Sequence, residues 1–221
     1  MKIGIFGDSF ADKRAKENTI WWSILANKYD HDVTSFGESA SSLVFSAKKV
    51  MARSNQFDLV IWITTAVGRL SLEYDNDSTH HFSIGRTDFA YQDIQNKYEI
   101  WKKYWQHVMV WEDEKLMGRA LVEMVQNRCN NLLILPGFPD PMDSTFNLFR
   151  VFQREVEMLY DGVFSDAFYE DYADSRVGHL SNQSHEILAG LLSHNLCPGT
   201  FTADIDLFPR YLNPDFVIKN K

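Results

Sequence analysis

The run Phe57-Asp58-Leu59-Val60-Ile61-Trp62-Ile63 narrows the possible folds of this chain more than any other stretch. From Leu59 onward it offers no polar position that could face water. A half-solvated strand alternates apolar and polar residues. A continuous apolar run fits a strand covered on both faces, as in a parallel sheet flanked by helices. Two other short runs share this character. Ile3, Ile5 and Phe6 lead to a sharp stop at Gly7. Leu132-Leu133-Ile134-Leu135, in a strand expected from Asn131 to Pro136, is closed by Pro136-Gly137. His31 to Phe36 reads as one more strand, ending at Gly37.

Helical periodicity fills the intervals. Asn18 is an expected N-cap for a helix from about Thr19 to Tyr29, with Ile20, Trp21, Ile24 and Leu25 as its buried stripe. Val44, Ala47 and Met51 have helical spacing. So do Met117, Ala120, Leu121, Met124 and Val125, and later Phe149, Phe152, Val156 and Leu159. Ser181 stands as an N-cap before Ile187, Leu188, Leu191 and Leu192. Val163 to Phe168 fits either a fifth strand or an irregular link. With right-handed crossovers, this series produces a parallel sheet with helices on both faces. The expectation is an α/β fold: a three-layer α/β/α sandwich with a flavodoxin-like parallel sheet. It would be a single domain over 1–195 with a helical, aromatic-rich insertion at about 70–128. Residues 196–221 are expected to form an irregular extension, packing back through Phe201, Phe208, Tyr211 and Phe216.

Within the insertion, residues 70 to 90 lack periodicity and read as a solvated loop. Asp75 and Asp77 suggest calcium, but the EF-hand loop needs glycine sixth and glutamate twelfth, where this chain has His80 and Arg86. The adjacent His80 and His81 lack the further ligands of a metal site. Ile94, Tyr98, Trp101, Trp105 and Val108 follow helical spacing, and such a stripe reads as core packing before it reads as a carbohydrate platform. The two cysteines, Cys129 and Cys197, are far apart and form no CxxC pair, so neither a zinc site nor a disulfide framework is expected. A formal charge of −8 argues against nucleic acid or an anionic membrane as the main partner. No apolar run approaches the length of a membrane span, and no apolar leader precedes the first strand. A soluble, cytoplasmic protein is the expectation. Nothing in the pattern sets an oligomeric state.

The chemistry-bearing residues fall where such a sheet would gather them. Ligands bind outside the carboxyl ends of parallel strands. Gly7-Asp8-Ser9 follows the first strand, Gly37 the second, Thr64 to Arg69 the third, and the Pro136 loop the fourth. His179, just before the last helix, can return to the same edge. A serine is a weak nucleophile at neutral pH and needs a base, a task that suits histidine. An attacked carbonyl becomes an oxyanion, for which the backbone N–H groups of Ser9 and Gly37 are candidate donors.

On these residues the chain resembles an SGNH hydrolase, of the GDSL esterase/lipase superfamily. Gly7-Asp8-Ser9-Phe10 resembles the family's first block, Ser35-Phe36-Gly37-Glu38-Ser39-Ala40 its second, and His179-Leu180-Ser181-Asn182-Gln183-Ser184-His185 its last. The resemblance covers about 1–195 and implies acyl-ester hydrolysis with Ser9 as nucleophile and His179 as base. It implies no metal or organic cofactor, and it makes a small-molecule or carbohydrate acyl ester the substrate, an O-acetyl group being one candidate and a lipid acyl chain an equal one. Two positions depart from the family. The loop Thr64-Thr65-Ala66-Val67-Gly68-Arg69 lacks the usual asparagine, leaving Thr65 and Arg69, with Asp8, as the side chains to bind substrate or oxyanion. Arg176 occupies the place of the aspartate that usually precedes the histidine by three. Asp174 is the expected orienter of His179, with a backbone carbonyl as the alternative and Asp171 further away. A catalytically weak or inactive binding module on the same fold is the competing expectation.

Overall fold

The computed structural model describes residues 1–12, 20–73, 79–82, 99–100, 102–104, 106–139, 141–156 and 180–209. In chain order its strands are β1 (Lys2–Phe6), β2 (Asp32–Ser35), β3 (Leu59–Thr64), β4 (Leu70–Glu73), β5 (Thr79–Phe82), β6 (Leu132–Pro136) and β7 (Gly199–Thr200). Five of them form one sheet in the order β2-β1-β3-β6-β7, every neighbouring pair parallel. Counted within that sheet, the order is 2-1-3-4-5, the flavodoxin-like arrangement.

The register explains the continuous apolar runs. Ile3 pairs with Leu59 and Ile5 with Ile61, while Ile61 pairs with Leu133 and Ile63 with Leu135. Successive strand residues point to opposite faces, and both faces are covered. On one, Ile3, Ile5, Ile61, Ile63, Leu133 and Leu135 pack under α1 (Trp21–Lys28), α4 (Leu148–Val156) and α5 (Asn182–Ser193). On the other, Phe6, Val60, Trp62, Leu132 and Ile134 pack under α2 (Leu43–Arg53) and α3 (Trp111–Arg128). Trp21 and Trp62 are among the largest fully buried side chains. The Trp62 indole N–H donates to Ser46 Oγ at 3.0 Å, which satisfies its one polar group. No helix among the described residues is long and apolar enough to cross a membrane.

Several elements differ from the sequence expectation. Residues 70–73 and 79–82, read as loop, form the antiparallel hairpin β4–β5. Strands this short carry too little pattern to separate from loop. Of the expected α3 stripe, Val125 is buried and Leu121 and Met124 pack partly buried against the core, whereas Met117 is 57% exposed. Gly118 and Val122 are the buried positions that the helical pattern does not single out. Val108, expected in a core stripe, is 64% exposed. The described fifth strand is the dipeptide Gly199–Thr200, pairing with Leu133 and Ile134 of β6. Beyond it Phe201 and Phe208 are buried against Phe146. Asn18, Asp75, Asp77, Arg86, Ile94, Tyr98, Trp101, Trp105, the stretch 163–168, Tyr211 and Phe216 lie outside the described residues.

Candidate functional site

β1 ends at Phe6, and the chain turns away at Gly7, whose φ is +145°. Few side chains tolerate that backbone conformation. A Cβ there would also stand 2.7 Å from Ile63 Cβ, so both the turn and the sheet packing require glycine. A 3₁₀ turn over Ser9–Ala11 follows, capped by Asp8, whose carboxylate accepts the Phe10 N–H at 3.2 Å. The Asp8 carbonyl accepts from the Ala11 N–H at 3.0 Å and the Ser9 carbonyl from the Asp12 N–H at 3.2 Å. Ser9 is thereby held half-buried at the carboxyl edge of the sheet.

Three neighbouring loops close on this turn. From the loop after β2, the Glu38 N–H and the Ser41 hydroxyl donate to the Gly7 carbonyl at 3.1 and 3.0 Å. Gly37 forms a parallel bridge with Asp12, and a Cβ at Gly37 would lie 2.3 Å from the Ala11 carbonyl carbon. Glycine at 37 is therefore required by the approach of the Ala11 backbone. The Gly37 N–H donates to Ser35 Oγ at 3.3 Å, and Ser35 Oγ donates to the Ala11 carbonyl. From the loop after β3, the Thr65 hydroxyl donates to Asp8 Oδ2 at 3.2 Å and Arg69 Nη1 to the same oxygen at 2.7 Å. From the loop after β6, the Phe138 ring lies 4.6 Å beneath the Arg69 guanidinium and edge-on to Phe10.

Asp8 is fully buried, yet three donors, one of them the Arg69 cation, meet its carboxylate. A buried carboxylate survives only with such company. The Arg69 side chain keeps 15% of its surface exposed. Only Nη1 contacts Asp8, so the other N–H groups of the guanidinium fork remain for a ligand. At the rim, the Lys49–Glu38 ion pair is half-exposed and adds little stability.

Of the sequence-predicted site residues, Ser9, Asp8, Gly37, Thr65 and Arg69 share this one turn and its contacts. His179 and Asp174 lie outside the described residues, as do Asp171 and Arg176. The chain re-enters at Leu180, two residues ahead of α5. There the structure adds a residue that the sequence reading missed. Glu155 of α4 is fully buried, and its carboxylate accepts the Ser181 N–H at 3.1 Å, the Ser181 hydroxyl at 2.6 Å and the Ser184 hydroxyl. Burial pushes its carboxyl above the ordinary glutamate value, while the hydrogen bonds from Ser181 and Ser184 pull the other way. A signal existed: Glu155 follows Val151 by four and Phe152 by three, so it sits on the buried side of its helix.

His185, also in the last sequence block, is buried. Its Nδ1 accepts the Trp21 backbone N–H at 3.3 Å, and the Trp21 indole donates to the Phe10 carbonyl at 3.0 Å. The last helix is thus tied through α1 to the Ser9 turn. Comparison with protein-family models and with curated proteins gives no match to this chain.

Proposed function

We propose that this chain is a serine ester hydrolase of the SGNH type, cleaving a small acyl ester through a Ser9 acyl-enzyme. The observation that carries the reading is the seat of Ser9. It sits in a capped turn at the carboxyl end of β1, and the loops after β2, β3 and β6 close around that turn. This is the edge at which parallel α/β sheets bind ligands.

In this reading His179 removes the Ser9 proton as the hydroxyl attacks the acyl carbon, and returns it to the departing alcohol. Water then repeats the sequence and frees the acid. Asp174 orients the imidazole. The Ser9 and Gly37 N–H groups receive the oxyanion. The 3.3 Å bond from Gly37 to Ser35 Oγ is long, so a charged oxygen competes well for that N–H. Thr65 and Arg69 act mainly by fixing Asp8 and with it the turn, and Arg69 keeps donors for a substrate oxygen. A carbohydrate O-acetyl ester and an ester of a longer acyl chain are both candidate substrates.

One observation favours a second reading, a binding module without catalysis. The Gly37 N–H, the Thr65 hydroxyl and Arg69 Nη1 all have partners within the protein. A fluorophosphonate probe separates the two. Labelling at Ser9, lost in Ser9→Ala together with turnover of a short-chain aryl ester, is the expected result. A folded protein that neither labels nor hydrolyses esters would overturn the enzyme reading.

A further inference from the structure

The segment after β3 and the helices α2 and α3 line an open cavity of about 130 Å³. Its wall is formed chiefly by Leu43, Val44, Val67, Met117 and Leu121. Val44 and Met117 are 54% and 57% exposed, large apolar side chains left in water. Arg69 belongs to the same wall, and its Nη1 stands 2.7 Å from Asp8 Oδ2, on the residue that precedes Ser9. Arg69 therefore touches both the cavity and the aspartate that caps the Ser9 turn.

The lining decides what it can hold. A sugar ring would leave hydroxyls without partners against this apolar wall. An anion gains little, because Asp8 already answers Arg69 and the Glu114 carboxylate also lines the space. A neutral aliphatic group loses nothing and covers Val44 and Met117. The volume is close to that of a cavity of roughly 150 Å³ known to accept benzene, so about six carbons fit.

We infer that this cavity receives the aliphatic tail of a neutral acyl ester, about four to six carbons long. The inference rests on the serine-hydrolase reading and gives its acyl side a chain where acetyl would leave the cavity open. Each buried methylene favours the bound state by about fourfold, so hexanoyl should exceed acetyl in kcat/KM by on the order of a hundredfold at full burial.

The test compares p-nitrophenyl acetate, butanoate, hexanoate and decanoate on the full chain. Wild type should rise to butanoate or hexanoate and fall at decanoate. Val44→Trp and Met117→Trp, at exposed positions that the core does not need, should each lower the hexanoate-to-acetate ratio at least tenfold. Leu207→Trp, exposed and outside the cavity, serves as the surface control. A profile highest at acetate, or one unmoved by both cavity variants, overturns the inference while leaving ester hydrolysis standing. If no ester is hydrolysed, the function reading fails, and the cavity is judged by 1-hexanol. A saturable shift of the Met117 methyl resonance, abolished by Val44→Trp, supports an aliphatic site; no shift refutes it.

Discussion

Replacing Glu155 by leucine tests how the last helix is held. In the wild-type protein three donors converge on this one buried carboxylate: the Ser181 N–H, the Ser181 hydroxyl and the Ser184 hydroxyl. Leucine is apolar and removes every acceptor. The two hydroxyls can rotate toward other oxygens, but the Ser181 N–H is fixed by the cap geometry of α5. A buried donor left unpaired costs about 1–3 kcal/mol. With one amide orphaned and at least one hydroxyl partly so, the loss should be about 3 kcal/mol, a large share of a typical domain's stability. Glu155→Gln keeps an acceptor oxygen and sheds the desolvated charge, so it should stay within about 1 kcal/mol of wild type. Urea unfolding with unchanged slope measures both. The pH dependence supplies an independent check. Burial raises the folded-state pKa, so just above the ordinary glutamate value the folded protein holds a proton that the unfolded chain has released. Stability from this group is complete below the unfolded value and is lost as pH rises through the folded one. Wild type minus Glu155→Gln should therefore decline across that window. A leucine variant within 0.5 kcal/mol of wild type, measured at the pH of maximum stability, would refute the anchoring role and the reasoning behind it.

Three further outcomes are expected. Arg69→Leu leaves the buried Asp8 carboxylate without its cation and should cost about 3–5 kcal/mol; adding Asp8→Asn should recover part of the loss in a denaturation double-mutant cycle. Gly37→Ala places a Cβ at 2.3 Å from the Ala11 backbone and should destabilise by about 1–3 kcal/mol, read as a lower thermal midpoint. Asp174→Asn should lower kcat more than Asp171→Asn with little change in KM, and equal, negligible effects would leave Ser9–His179 as a dyad.

The sheet was legible because its inner strands β1, β3 and β6 are buried on both faces. Leu59 to Ile63 and Leu132 to Leu135 fit strands covered on both faces, and the flavodoxin-like order is the simplest one for strands that alternate with helices. The hairpin β4–β5 was illegible because four residues per strand are too few to separate from loop, and Thr79 to Phe82 does not continue the alternation of Leu70 to Glu73. In α3 the expected stripe reaches the core through Leu121, Met124 and Val125, and at its start Gly118, a residue without a side chain to signal burial, faces inward beside the exposed Met117. At the site, the sequence identified Asp8, Thr65 and Arg69 as neighbours of Ser9 but not what they do to one another. Motif spacing can bring loops to one edge. It cannot say that the Thr65 and Arg69 side chains also meet a buried aspartate.

That meeting changes how the loop after β3 is understood. In the resembled family an asparagine from this loop faces the substrate. Here Thr65 and Arg69 face Asp8, and Phe138 supports the guanidinium from beneath. A turn held by its own cap alone would be worth about 1 kcal/mol and could rearrange when a ligand pulls on it. With a buried ion pair, a hydroxyl and an aromatic face added, the Ser9 turn has one arrangement that satisfies all its polar groups, and any movement strands a carboxylate in the core. The cost of that rigidity is fewer donors for substrate, and the reach that remains lies in the unused N–H groups of Arg69. Arg69 also lines the apolar cavity. One guanidinium thus touches both the acid that caps the Ser9 turn and the apolar cavity. For this reason Arg69→Lys should be more damaging than charge alone suggests: an ammonium lacks the planar fork that can lie on Phe138 while meeting Asp8. Circular dichroism melts and the acyl-chain profile of Arg69→Lys together test this. Wild-type behaviour in both would show that the planar geometry of Arg69 is dispensable.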